Sequence, residues 1–361
     1  MEELVNMVST GFWSGRRVLV TGHTGFKGAW LCLMLQALGA EVSGLSLPSI
    51  HSLAYDLLGV SARMRRSYPA DIRVPGKVEE IVREARPEVV FHLAAQSLVG
   101  EGYRDPGGTF ATNVTGTAHL LQALRGQRDV AAAVVVTSDK VYRNDNTGRP
   151  FRENDALGGV DPYSASKAAA ELAVTAWRHS FKSQMPPMAT ARAGNVIGGG
   201  DFALDRLVPD LVRAERSGSS LVLRSPDATR PFQHVLDVLR GYLLLAQALA
   251  ADSPVPEALN FGPQDAELRV RDLIGHWEAA TGRPVRWEIS GVPVIAEQRR
   301  LALDSSLAHR VLGWSPCYDT PSAIARTAQW YSAWASGLDM GDYSKNEVGK
   351  ALSSSATQVQ A

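Results

Sequence analysis

The sequence predicts a doubly wound parallel α/β sheet followed by a smaller mixed α/β lobe, and three observations carry that prediction. Near the N-terminus a short apolar strand runs into a string of three glycines and then into a helix. Further on, the β-branched run Val134-Val135-Val136 ends in the polar residues Thr137-Ser138-Asp139-Lys140. Strand and helix patterns alternate up to about residue 200, after which short, proline-punctuated elements take over. Such alternation gives right-handed crossovers and a parallel sheet, whose chemistry sits at the carboxyl ends of its strands.

The first strand is Arg16 to Gly22, and it leads into Gly22-His23-Thr24-Gly25-Phe26-Lys27-Gly28. Glycines at these three positions permit a tight turn and close approach of backbone N–H groups to a pyrophosphate. They also let the following helix, Ala29 to Leu38, pack close to the strand. A dinucleotide site is the expectation. The second strand, Glu41 to Ser46, runs into Leu47-Pro48-Ser49, where an NAD site often carries Asp or Glu for the ribose 2′-hydroxyl. Neither that carboxylate nor an arginine for a 2′-phosphate ends the strand, so these residues leave NAD and NADP open.

A third strand precedes Asp71-Ile72. The fourth, Pro87 to Gln96, carries His92 inside its apolar run, where it reads as a core histidine, and ends in the small-residue turn Leu93-Ala94-Ala95-Gln96. Thr112 to Thr117 opens a helix running to about Leu124, in which Asn113 is either a helix-start residue or a brace behind the site. The fifth strand delivers Ser138, Asp139 and Lys140 to the sheet's carboxyl edge. Tyr163 and Lys167 follow, four apart at the start of a stretch of strong helix formers, so both lie on one helix face. An ammonium beside a phenol favours phenolate, which makes Tyr163 a candidate base at neutral pH. A sixth strand from Met188 breaks into Gly198-Gly199-Gly200-Asp201.

The expected organisation is residues 1–195 for the dinucleotide and catalytic residues and 196–340 for an interwoven substrate-binding lobe. Residues 341–361, rich in Ser, Ala and Gln from about Ser344, are expected to form a flexible tail. With 37 basic and 37 acidic residues among 361, the chain offers no electrostatic case for nucleic acid or a membrane surface. No run reaches the ~20 uncharged apolar residues of a membrane span, and Met1-Glu2-Glu3 is acidic rather than signal-like. Cys32 and Cys317 support neither a disulfide framework nor a zinc site. A cytoplasmic, soluble protein without a metal is expected.

The glycine string, Tyr163-Ser164-Ala165-Ser166-Lys167 and the small-residue turn together resemble the extended short-chain dehydrogenase/reductase superfamily, a Rossmann-type family, over roughly residues 15–337. That resemblance implies NAD as cofactor, with Tyr163 and Lys167 as the catalytic pair. It implies cofactor contacts from Gly22, His23, Thr24, Gly25, Phe26, Lys27 and Gly28, with Lys27 placed to neutralise the pyrophosphate. Asp71 and Ile72 would meet adenine, Leu93, Ala94, Ala95 and Gln96 would lie beside nicotinamide, and Asn113 would brace the site. It also implies a homodimer through the helices at 112–124 and 164–181, or a tetramer of two such pairs.

A narrower resemblance rests on Thr137-Ser138-Asp139-Lys140, the string from Arg192 to Asp201, and Arg230-Pro231-Phe232-Gln233-His234-Val235. As a set these are similar to the nucleotide-sugar 4,6-dehydratases, specifically the branch acting on CDP-glucose, in which Asp-Lys replaces the Asp-Glu of the dTDP-glucose enzymes. The implied catalytic residues are Ser138, Asp139, Lys140, Tyr163 and Lys167, with Asp139 as the acid that protonates the departing 6-hydroxyl. Lys140 is either the base at C5, once neutral, or a charged stabiliser of the enolate. Implied substrate contacts are Gln96, Ser138, Asn195, Arg206, Arg230, His234 and Asn260, with Arg230 on the diphosphate through its forked guanidinium. Three alternatives stand beside this reading: a nucleotide-sugar 4-epimerase, a dehydratase acting on another nucleotide-sugar, and an NAD(P)-binding regulator without catalysis.

Overall fold

A computed structural model describes residues 7–48, 53–144, 147–265, 268–291 and 300–353. Seven strands form one sheet: β1 (Arg17–Thr21), β2 (Glu41–Ser46), β3 (Arg66–Pro69), β4 (Val89–His92), β5 (Ala132–Val136), β6 (Met188–Ala193) and β7 (Ala258–Phe261). Their order is β7-β6-β5-β4-β1-β2-β3, every neighbouring pair is parallel, and the order reverses between β1 and β4. All five residues of β5 are buried, which is why this strand reads as an unbroken apolar run rather than an alternation. The expected doubly wound parallel sheet is what the chain forms.

The helix α1 (Phe26–Ala37) starts earlier than the apolar spacing predicts, because the glycine turn folds straight into it: the Ala29 N–H donates to the Gly25 carbonyl at 2.8 Å. α2 (Pro162–Ser180) has proline in its first turn and an Asp161 cap whose carboxylate accepts from the Ser164 N–H at 2.9 Å. Proline there loses no helical hydrogen bond, and the cap satisfies one of the exposed N–H groups. The helix expected from Thr112 is interrupted by a π-helical turn over Ala111–Thr115 before Gly116–Leu124 continues it. Asn113 therefore does not cap a helix start.

After β6 the chain does two jobs. α3 (Leu207–Ser217) and three two-stranded ribbons build the wall of the second lobe: Asn195–Ile197 with Phe232–His234, Leu221–Leu223 with Trp287–Ile289, and Thr229–Arg230 with Leu268–Arg269. The nearly wholly buried α4 (Val235–Ala250) then returns to cover β5, β6 and α1, and β7 adds itself to the sheet edge beside β6. The larger core cluster accordingly joins residues from both ends of the chain, Val20 and Leu31 with Leu239, Leu259 and Trp314 among them.

The expectation of a flexible tail from residue 341 is corrected. Met340–Ser353 is a helix with Val348 and Ala351 buried, pinned by a hydrogen bond from Trp330 Nε1 to Ser344 Oγ at 2.9 Å and an Arg326–Glu347 ion pair at 2.6 Å. Its small residues are what let it pack closely. Residues 354–361, Met1 to Glu3 and Ser49 lie outside the described residues. No helix among the described residues is long and apolar enough to cross a membrane, and Cys32 and Cys317 are free thiols.

Candidate active site

The reversal of strand order opens a crevice at the carboxyl ends of β1 and β4, the place where ligands bind in open α/β sheets. Two cavities meet there, of about 460 Å³ and about 300 Å³, and Phe26, Lys27, Ser97 and Arg206 line both.

The larger one lies over the glycine turn and is lined by Gly22, Thr24, Gly25, Phe26, Lys27 and Gly28 from that turn, Asp71 and Ile72 beyond β3, and Leu93, Ala94, Ala95 and Gln96 beyond β4. Gly22 has φ +74°, and a Cβ on Gly28 would overlap the Gly22 carbonyl, so only glycine lets α1 come this close to the turn. α1 has Gly25 as its N-cap with no capping side chain, which leaves first-turn N–H groups for an anion. Ser46 and Leu47 line this cavity where a ribose-binding carboxylate would stand, and Asp71 is occupied by Arg73 at 2.6 Å.

The smaller cavity collects Ser138, Asp139, Lys140, Tyr163, Asn195, Arg206 and Arg230. The chain leaves β5 in an extended conformation at Ser138 and turns through Asp139–Val141, and the Ser138 hydroxyl caps the turn by accepting from the Lys140 N–H at 3.2 Å. The Asp139 carboxyl is pushed above the usual carboxylate range by burial, against Lys140 and the Ser138 hydroxyl, which favour its ionised form. Burial also pushes the Tyr163 phenol up to about 12, with Ser138 and Arg206 opposing and Asp139 and Asp161 adding to the rise. That burial works against the phenolate which the Tyr163–Lys167 spacing favours. The Lys167 ammonium donates to the Val136 carbonyl at 3.0 Å, and burial lowers it to about 8.

Lys27 is half-buried at the junction of the cavities, its Nζ 5.9 Å from the centroid of the Tyr242 ring. Burial lowers it to about 7, Lys167 and Arg206 push the same way, and Asp139 opposes. Arg206 is fixed by Asp201 at 2.8 Å and by Ser97 Oγ at 2.8 Å, while Arg230 is buried and donates to the Thr229 carbonyl at 2.9 Å.

Several expected contacts are not brought to the cavities. The His23 ring turns away beneath the loop, against Gly44 and within 2.7 Å of Ser67 Oγ, because the positive φ of Gly22 redirects the chain. His234 caps α4 by accepting from the Leu236 N–H at 3.3 Å, and burial lowers its pKa to about 3. Asn260 is fully buried among Tyr142, Phe151 and Asp304. Gln96 lines only the larger cavity, and its amide is taken up by Leu98 and Thr109. Lys167 sits behind both walls.

Other residues conform to the reading or escape it. His92 is a core histidine, held between Thr21 Oγ1 at 2.7 Å and Thr117 Oγ1 at 2.9 Å. Asn113 is a brace: it accepts from the Gln96 N–H at 2.8 Å and donates to the Gln96 carbonyl and to Ser166 Oγ. Sequence reasoning missed Asp201, Ser97 and the wall of Leu207, Val208, Leu221 and Leu223. Asp201 ends the glycine-rich string that was singled out, so its position was the available signal.

Similarity to known proteins agrees with this geometry. Residues 18–262 match the model of the NAD dependent epimerase/dehydratase family. The chain is 40% identical over 357 residues, 96% of its length and 99% of the relative's, to the CDP-glucose 4,6-dehydratase of Salmonella typhimurium strain LT2. It is 27% identical to a dTDP-glucose 4,6-dehydratase of Xanthomonas campestris pv. campestris, over 92% of this chain and 98% of that one. Among solved structures, DesIV, the dTDP-glucose 4,6-dehydratase of Streptomyces venezuelae with NAD and TYD bound, superposes with a TM-score of 0.76 at 27% identity, covering 89% of this chain and 98% of that one. A UDP-glucose-4-epimerase from Stenotrophomonas maltophila with bound NAD gives 0.77 at 26% identity, covering 90% and 100%.

Proposed function

The chain belongs to the NAD dependent epimerase/dehydratase family, and from that premise we propose that it converts CDP-glucose to CDP-4-keto-6-deoxyglucose and water. The observation that carries this reading is Asp139: a buried carboxyl, raised above the usual carboxylate range by that burial, in one cavity with Tyr163 and beside Lys140. A 4-epimerase needs no acid for a leaving 6-hydroxyl, so this residue favours dehydration over epimerisation.

The glycine turn, the uncapped start of α1 and the small residues after β4 fit NAD, which supplies the hydride acceptor and donor when bound. In our reading the uncapped first-turn N–H groups of α1 hold the pyrophosphate, and Lys27 adds positive charge at its edge. Tyr163 takes the proton of the sugar 4-hydroxyl, assisted by Ser138, and Lys167 steadies the helix face that carries it. Once C4 is a ketone, the C5 proton is acidic. Lys140 lines the same cavity as Asp139 and either removes that proton or stabilises the resulting charge, while Asp139 protonates the departing 6-hydroxyl. Arg230 and Arg206 hold the diphosphate, and Asn195 contacts the sugar side.

The finer picture is also ours: residues 1–195 and 196–340 as two interwoven functional lobes, a cytoplasmic location, and a homodimer. Leu172 on α2 and Phe110 beside it, 59% and 39% exposed, support pairing through those helices. Incubation with CDP-glucose and NAD tests the reaction: a 4-keto-6-deoxy product supports it, whereas a galactose isomer or an unchanged sugar overturns it.

A further inference from the structure

Lys167 and Glu171, one turn apart on α2, grip consecutive residues at the end of β5. Lys167 Nζ donates to the Val136 carbonyl at 3.0 Å, and Thr137 Oγ1 donates to the Glu171 carboxylate. Glu171 accepts three more bonds, from Thr190 Oγ1 at 2.7 Å, Arg192 Nε at 3.0 Å and Arg192 Nη2 at 2.8 Å, and its side chain is 3% exposed. The remaining guanidinium nitrogen, Nη1, donates to the Tyr142 hydroxyl at 2.9 Å and to the Glu153 carbonyl at 3.0 Å. The Tyr142 hydroxyl in turn donates to Asn260 Oδ1 at 2.6 Å, and its ring stacks on Phe151.

Thr137 and Tyr142 are the two residues that flank the Ser138–Val141 turn. One buried ion pair therefore holds both ends of the segment that carries Ser138, Asp139 and Lys140. Stability alone does not account for it, since apolar replacements of a buried ion pair are often neutral or stabilising. The charged and titratable groups facing Lys167 are Lys27 from α1, His92 from β4 and Glu171 from its own helix, and Glu171 is the anion among them.

We propose that the Glu171–Arg192 pair is a positioning clamp for catalysis, fixing the Ser138–Lys140 turn against Tyr163 and Lys167 and setting a negative charge beside the Lys167 ammonium. Neither residue lines the two cavities of the site; both act through the groups they hold. The inference rests on the reaction proposed above for its kinetic consequences, and on geometry alone for its structural ones.

The test compares the parent with Glu171→Gln and with the double variant Glu171→Leu/Arg192→Met, which removes both charges and keeps the volume filled. Misplacement by an ångström costs on the order of 10²-fold in rate, so kcat with CDP-glucose is expected to fall by about that factor in both variants, with KM changed about twofold at most. The alkaline limb of the kcat profile is expected to move to lower pH, because Lys167 loses the charge that favours its ammonium form. Amide hydrogen exchange at residues 138–142 is expected to quicken by about tenfold or more, with α1 unaffected. A double variant with parental kcat, pH profile and exchange overturns the clamp, as does a lower melting temperature with the pH limb and the exchange rates unmoved. A parent that forms no product overturns the reaction, and the exchange rates then decide the clamp by themselves.

Discussion

Ser138 Oγ donates to Asp139 Oδ1 at 3.0 Å, and the other oxygen of the Asp139 carboxyl, buried as well, has no hydrogen-bond partner among the described residues. Lys140 lines the same cavity without closing an ion pair on that oxygen. An ion pair would favour the ionised carboxylate; without one, burial shifts the balance towards the acid form. Asp139→Asn is expected to lower product formation by about 10²–10⁴-fold, the usual worth of a positioned acid. Oxidation at C4 should survive, read as accumulation of reduced nicotinamide. Normal product formation would remove Asp139 from the acid role.

Tyr163→Phe removes the hydroxyl at the head of α2 and keeps the ring that packs there, so the fold and substrate binding should change little. Turnover should fall by at least about 10²-fold. With the phenol pushed up to about 12, the parent's kcat should rise with pH wherever formation of phenolate is limiting, and the variant should lose that limb. A variant with retained turnover excludes Tyr163 as the base, and stopped assays over a pH series are sufficient to tell.

Lys27 is a half-buried ammonium with no carboxylate partner among the described residues, its Nζ facing the ring of Tyr242. Its folded pKa of about 7 lies below the usual 10.5, so the unfolded chain binds more protons between those values and stability rises with pH across that window. The contribution is whole above 10.5 and is lost as pH falls towards 7. Lys27→Met should therefore stabilise the protein at neutral pH by roughly 3 kcal/mol. That gain should shrink as pH approaches 10.5, and denaturant titrations at several pH values measure it. A gain that does not vary with pH would show that packing, not charge, is responsible.

Gly28→Ala puts a methyl group into the Gly22 carbonyl and must push α1 away from β1. Overpacking of this kind costs about 1–3 kcal/mol. NAD binding, followed by calorimetry, should weaken by at least about tenfold, because the α1 N–H groups move with the helix. Unchanged affinity would mean that the turn is not the pyrophosphate cradle.

The sheet was legible because its strands are buried on both faces and its crossovers carry helical spacing; Val134 to Val136 and the glycine string needed no tertiary information. The direction of individual side chains was not. His23 and Asn260 occupy positions in strings that look like ligand contacts, yet one turns beneath the loop and the other fills a buried network. Tyr163 and Lys167 were found by their spacing, but the depth of burial that raises the phenol belongs to the assembled cavity. Glu171 and Arg192 were unreadable as a pair because they meet only when α2 lies across β6. The helix at 340–353 was hidden by a composition that signals fraying in isolation and close packing in context.

β6 ends at Ala193, and the strand that covers its open edge begins only at Ala258, after α4 has been laid down. During synthesis on the ribosome, several seconds pass between emergence of the two strands. For that interval β6 offers bare backbone to any neighbouring nascent chain. The nucleotide-binding half thus completes its sheet only once Ala258–Phe261 has been made, and a chain truncated before Ala258 is left with an uncovered edge at Met188–Ala193.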